Sequence, residues 1–391
     1  MKRSSQRTLT THVGSLPRPE ALIDVNRARL DGEAYDEQGY PRVLSDAVAG
    51  ICRQQAECGV DVINDGEFGK ATRGSIEYGS WQSYAFERLT GWEYGQEGMA
   101  PGLAIRRDRQ KFADFYRDEV RMTNAPLPPA ARPPIFTGPI KYRGQELIAR
   151  DVANLKAALG KAKAVEAFMT AVAPGSFARR QNQYYATDEE YLFAVSEAMR
   201  EEYRAIIDAG FVLQLDDPGL PDSWDMTNPE PSVEEYRKWA RVRVEALNQA
   251  IRGLPEDRIR YHICWGSWHG PHTTDLPLRH IVELLLEVGA GAYSIEAGNA
   301  RHEHEWKVWQ ETKLPDGKVL IPGVVSHATN VVEHPELVAD RIVRFAGVVG
   351  RENVIAGTDC GLGGRIHPQL VWAKLQTLVD GARLASRQLW G

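Results

Sequence analysis

Tyr261-His262-Ile263-Cys264-Trp265-Gly266 reads as the end of a short apolar strand, begun at Arg258, that runs into a glycine turn. Alternate side chains of a strand share a face, so His262 and Cys264 point to the same side. An imidazole and a thiol together at a strand end supply two thirds of a catalytic zinc site. Such a site keeps three protein ligands, at about 2.0 to 2.3 Å, and one open position. A second stretch of the same kind, Asn353-Val354-Ile355-Ala356-Gly357-Thr358-Asp359-Cys360-Gly361, ends in a cysteine followed by glycine. Cys360 is the third candidate ligand, and Glu296, ending the strand between the two, is a fourth that could leave when substrate arrives.

Outward from these stretches the pattern is β and α in alternation. Strand candidates are 8–15, 60–67, 134–138, 167–173, 211–217, 258–264, 292–296, 319–326 and 353–360, most of them apolar on both faces. Strands of that kind belong in a parallel sheet covered by helices. Helices are expected over 146–159, from the capping box Thr187-Asp188-Glu189-Glu190 to Gly210, over 278–288 and over 335–348. We read an α/β fold, a (β/α)8 TIM barrel forming one domain over residues 1–391. The proline-bound strand at Pro134 is taken as an extra or edge piece. Residues 68–132, irregular and rich in Trp, Tyr and Arg, form an extended insertion after the second strand, a lid or subunit-contact element. A doubly wound sheet is the alternative, but no G-x-G-x-x-G turn is present. The placement of reactive residues favours the barrel: Ser15, Glu67, Asp216, His262, Cys264, Glu296, Ser326 and Cys360 all fall at C-terminal strand ends, where barrel enzymes keep their active sites.

Composition bounds the partners. The chain has 391 residues, 43% hydrophobic, with net charge −6 and no basic run. Nucleic acid and anionic membranes are therefore not expected as partners. Neither a signal peptide nor a membrane-spanning run is evident; a cytoplasmic protein is expected, with a homo-oligomer as an option left open. Cys52 and Cys58, six apart in a helical stretch, do not share a face and read as ordinary helix cysteines. His269, His272 and the run His302-Glu303-His304-Glu305 are rival ligands, the last better read as a solvated charged face. Glu67 and Asp216 serve either as caps and ion-pair partners or as holders of a substrate ammonium. His12 and His327 are candidate proton donors.

The motifs His12-Val13-Gly14-Ser15-Leu16-Pro17-Arg18, Asp65-Gly66-Glu67, Leu213-Gln214-Leu215-Asp216-Asp217-Pro218, His262-Ile263-Cys264, Ser294-Ile295-Glu296 and Asp359-Cys360-Gly361-Leu362 span nearly the whole chain. Together they resemble the cobalamin-independent methionine synthase family, within the superfamily that includes uroporphyrinogen decarboxylase. The resemblance implies zinc on His262, Cys264, Glu296 and Cys360. It also implies homocysteine held by Gly14, Ser15, Glu67 and Asp216, on a catalytic C-terminal barrel alone. Two stretches depart from the pattern. Ala173-Pro174-Gly175-Ser176-Phe177-Ala178-Arg179-Arg180-Gln181 lacks the tryptophan that stacks folate in the family, and Ser326-His327-Ala328 stands where the family places an Asp and then a His.

The expected activity is alkyl transfer, foremost methyl transfer, from an alkyl donor to a small thiol such as homocysteine activated on Zn2+. His327 is the expected proton donor to the leaving atom. The alternative resembles the epoxyalkane:coenzyme M transferases, which add a zinc-activated thiol to an epoxide. There Arg179 or Arg180 would bind a sulfonate or carboxylate, as guanidinium groups do.

Overall fold

Short aliphatic and β-branched runs become the parallel strands of a (β/α)8 TIM barrel in the computed structural model, which describes residues 1–74, 80–95, 106–122 and 133–391. The strands are β1 (Leu9–Thr10), β2 (Val62–Ile63), β3 (Glu166–Val172), β4 (Val212–Asp216), β5 (Ile259–His262), β6 (Ala292–Glu296), β7 (Val319–Val325) and β8 (Ile355–Thr358). Each of β2 to β7 pairs in parallel with the next, and β8 pairs with β1. The seam between β1 and β2 is closed by single contacts. The Asp61 amide donates to Thr10 O at 3.2 Å, the Thr11 hydroxyl donates to Val62 O at 3.0 Å, and the Asp61 carboxylate accepts from the Thr10 amide at 2.9 Å. Two-residue strands offer few ladder bonds, so side chains complete the closure there.

The strand at Pro134–Phe136 lies outside the barrel, as an extra piece. It pairs antiparallel with Trp92–Tyr94 and parallel with Gln181–Asn182. A proline, lacking an N–H, suits the start of such a short strand.

The covering helices are α1 (Tyr40–Cys58), α2 (Gln145–Leu159), α3 (Asp188–Asp208), α4 (Val233–Ala250), α5 (Val282–Leu286), α6 (Val308–Glu311), α7 (Pro335–Val349) and α8 (Pro368–Trp390). Thr187 caps α3 by accepting from the Glu190 amide at 3.0 Å, while the Glu190 carboxylate returns to the Ala186 amide, one residue before the cap. The helix expected over 278–288 divides into a 3-10 turn at Leu278–His280 and the short α5. None of the described helices is long and apolar enough to cross a membrane.

Parts of the 68–132 stretch, residues 75–79, 96–105 and 123–132, lie outside the described residues. Of the rest, helices at Arg107–Lys111 and Ala113–Met122 follow Arg106, which is buried against Asp222 and Asp225 beyond β4. Asp108 accepts from the Thr273 amide at 2.9 Å, tying this segment to the loop after β5. The barrel interior is not purely apolar. Arg260, in the middle of β5, is 2% exposed and donates to Gln214 Oε1 (2.6 Å), Thr11 Oγ1 (2.9 Å) and His12 O (2.6 Å). Its guanidinium also covers the Phe168 ring at 3.5 Å.

Candidate metal and thiol site

His262 ends β5, Cys264 follows it by two residues, and Cys360 follows β8. Their ligand atoms lie within 4.8 Å of one another, all buried. The two sulfurs are 3.8 Å apart. His262 Nδ1 lies 3.2 Å from Ser294 Oγ on β6, while Nε2 is buried and has no hydrogen-bond partner. With Nδ1–H donated to Ser294, Nε2 keeps its lone pair. Burying a polar atom without a partner is costly, and a cation between this nitrogen and the two sulfurs would satisfy it. The hydrogen bond shared by the two thiols pulls Cys360 well below its ordinary range, and the same contact, with burial, pushes Cys264 up. The set of two sulfurs and one imidazole fits a borderline-soft divalent ion.

Glu296 stands outside this triplet. Its Oε1 accepts from the Trp265 amide at 2.9 Å and its Oε2 from Asn299 Nδ2 at 2.7 Å. Burial, with Asp359 and Cys360 near, pushes this carboxyl well above its ordinary range despite His302. Asp359 accepts from the Ala297 and Gly298 amides, both at 2.7 Å, and from Asn299 at 3.0 Å. The ends of β6 and β8 are thereby clamped together.

The triplet opens into a cavity of about 150 Å³ that Ser15, Glu67, Asp216, Arg106, Arg179 and Trp268 also line. Ser15 Oγ donates to Gly363 O at 3.2 Å. Gly14 has φ +139°, and a Cβ there would lie 2.8 Å from Glu67 Oε1 and from Thr170 Cγ2. That Glu67 oxygen also accepts from Thr170 Oγ1 at 2.6 Å and from Lys70 Nζ at 3.2 Å. Asp216 accepts from Gln214 Nε2 at 2.6 Å, and burial pushes its carboxyl up to about 7 against the opposing pull of His262.

Arg179 pairs with Asp222 at 3.0 Å, and Arg106 meets the same carboxylate in a two-pronged contact while lying 3.9 Å over the Trp268 ring. Arg180 is not among the lining residues. Its guanidinium lies over Phe86, 5.8 Å from the ring centroid.

Among the histidines, His327 is buried beside a neighbouring groove that Glu296 and Ser326 also line. Its Nδ1 has no partner, and burial pushes it down to about 4. His12 is committed elsewhere: Nε2 donates to Gln55 at 2.8 Å and Nδ1 accepts from the Gly14 amide at 3.2 Å. It organises the turn and has no nitrogen left to donate a proton. The run at His302 is not a solvated face. His302 and Glu305 are buried, with His302 bridging Asp275 (3.1 Å) and Glu305 (2.9 Å) and stacked 4.0 Å from Trp265. Its polarity pairs internally, which composition by itself does not reveal. His272 joins through Asp275 at 3.0 Å and stacks on Trp268.

Lys70, Arg106, Trp268 and Asn299 escaped the sequence reading. Lys70 and Asn299 each follow a strand-end carboxylate by three residues, a spacing that could have flagged them; Arg106 sits in a stretch without periodicity.

Residues 124–384 match the family model described as the catalytic domain of cobalamin-independent synthase. A methionine synthase of Sulfolobus acidocaldarius is 23% identical, over 97% of this chain and 93% of the relative. A 2-hydroxypropyl-CoM lyase of Xanthobacter autotrophicus is 25% identical, over 97% of this chain and 95% of the relative. In fold, the chain is similar to a B12-independent methionine synthase from Shewanella sp. W3-18-1 in complex with selenomethionine, with TM-score 0.72 and 18% identity over 98% and 99% of the two chains.

Proposed function

Because the chain belongs to the cobalamin-independent synthase catalytic-domain family, we propose that it is a zinc-dependent S-alkyltransferase, foremost a methyltransferase, acting on a small thiol. The observation that carries this reading is the convergence of Cys264, Cys360 and the unpartnered His262 Nε2 within 4.8 Å. Zinc bound there supplies a Lewis acid that keeps a substrate thiol deprotonated near neutral pH, where a free thiol is mostly protonated.

The chain's own residues do the rest. Ser294 orients His262, and Asn299 with the Trp265 amide holds the Glu296 carboxylate beside the triplet as a fourth, displaceable ligand. Ser15, Glu67 and Asp216, with Gly14 packed close on Glu67, form the wall against which the thiol's carbon chain lies. The buried His327 ring, kept neutral, offers an N–H toward the atom that leaves the alkyl group. The cavity of about 150 Å³ is small beside the roughly 300–1,000 Å³ of drug-sized pockets, which supports compact reactants. A second reading, thiol addition to an epoxide as the name 2-hydroxypropyl-CoM lyase suggests, is favoured by Arg106 and Arg179 at the cavity, where an anionic reactant would be welcome.

Metal analysis of the purified protein tests the reading. We expect about one zinc per chain, lost on Cys360→Ser or Cys264→Ser with the fold retained. In the Co2+-substituted protein an added thiol should change the visible sulfur-to-cobalt bands. Full metal content in both variants, or a spectrum indifferent to every thiol, would end it.

A further inference from the structure

Behind Glu67, which lines the cavity, sits a set of groups suited to an ammonium around a separate small void. Glu67 Oε1, Thr170 Oγ1 and the Tyr84 ring converge on one point, and Lys70 Nζ occupies it. Its distances are 3.2 Å to the carboxylate, 2.6 Å to the hydroxyl and 4.6 Å to the ring centroid. An ammonium has three donors and no acceptor, and an oxyanion, a hydroxyl and an aromatic face together meet that need. Lys70 and Glu67 are both buried. Gly14 packs close on the shared oxygen, where even a Cβ would come within 2.8 Å.

We propose that Lys70 is a specificity-determining residue: its ammonium fills the place beside Glu67 that an α-amino thiol would give to its own, so the acceptor is an anionic thiol without an ammonium. This rests on the thiol-activation reading above. A substrate ammonium entering here would meet a carboxylate already paired, with a like charge beside it. Arg106, Arg179 and Arg365 line the cavity with Glu67, Asp216 and Asp222, and Lys70, held against Glu67 from outside that lining, offsets the Glu67 charge. A carboxylate or sulfonate on the thiol's far end suits that balance. Sequence spacing alone, a lysine three residues after the strand-end glutamate, would equally have suited a surface ion pair; burial and the shared contact with Thr170 distinguish the two.

Homocysteine and 4-mercaptobutyrate form the matched pair for a test, identical in carbon chain and carboxylate and differing only by the α-ammonium. Each is titrated into the Co2+-substituted protein and followed by its visible spectrum. We expect 4-mercaptobutyrate to bind about tenfold or more tightly than homocysteine. Lys70→Met should shift the ratio toward homocysteine by about tenfold or more, while Lys70→Arg keeps the wild-type preference. Homocysteine binding as tightly as its deamino analogue, or more so, in the unaltered protein overturns the assignment, whether or not the variants fold. A spectrum that neither thiol changes removes the thiol-activation reading, and the Lys70 assignment with it; these two failures are distinct.

Discussion

Asn299 Nδ2 donates to Glu296 Oε2 at 2.7 Å, and the same nitrogen lies 3.0 Å from Asp359 Oδ2, next to Cys360. That side-chain amide, with the Trp265 N–H on the other oxygen, fixes the Glu296 carboxylate beside the His262–Cys264–Cys360 triplet. Asn299→Ala should leave that carboxylate to compete with the incoming thiol. The expected outcome is a rise of about three- to tenfold in KM for the thiol, the equivalent of one ordinary hydrogen bond. Metal content and kcat should change little. In a Glu296→Gln background the effect should vanish; its persistence there would assign Asn299 to Asp359 and the loop instead.

Gly14 passes its backbone against the Glu67 carboxylate with φ +139°. Gly14→Ala should cost about 1–3 kcal/mol in stability from backbone strain, more if Glu67 cannot retreat, since Thr170 and Lys70 hold it. Thiol affinity should fall in parallel. Chemical denaturation with a wild-type melting profile would contradict the tight approach.

His302 is the buried titration to follow. Burial pulls its imidazole down, but hydrogen bonds to Asp275 and Glu305 outweigh this and raise it from 6.5 to about 10. A raised folded-state value stabilises fully below the unfolded value, so the contribution is present near pH 6 and fades as pH climbs from 6.5 through about 10. Asp275 moves oppositely: burial raises it, yet His272 and His302 hold it below its ordinary 3.8, so its share is lost only in acid. The stability difference between the unaltered protein and His302→Gln should therefore be widest near pH 6 and narrow toward pH 10. A difference that grows with pH would show that His302 is neutral in the fold.

Arg260 spans the barrel interior from β5 to the β1 end, donating to Gln214, Thr11 and His12 O. Arg260→Met strands these acceptors in a dry interior at about 1–3 kcal/mol each. We expect a loss of several kcal/mol overall, measured by denaturant unfolding. Because Arg260 holds the His12 carbonyl and His12 Nδ1 receives the Gly14 amide, thiol affinity should weaken as well. A variant as stable as the parent would mean that the interior admits water.

The barrel was legible because its cause is local. Apolar runs of strand length, each stopped by glycine, proline or an acid and followed by an amphipathic helix, leave few ways to bury both faces, and reactive residues at the same end of each run mark the open face. His262 and Cys264 share a strand face by period alone, and Cys360 ends an equivalent strand, so their convergence followed from the sequence once the barrel closed. What only the tertiary structure decided is how charges are spent. That Glu67 pairs with Lys70, that His302 in the polar run faces Asp275 and not water, and that Arg179 but not Arg180 reaches the cavity depend on side-chain direction and on neighbours far along the chain. Arg106 reaches Asp222 across 116 residues, from a stretch with no periodicity to announce it. Periodicity assigns a face to each residue, but pairing between buried charges is set by distances of a few ångströms that only the closed barrel creates.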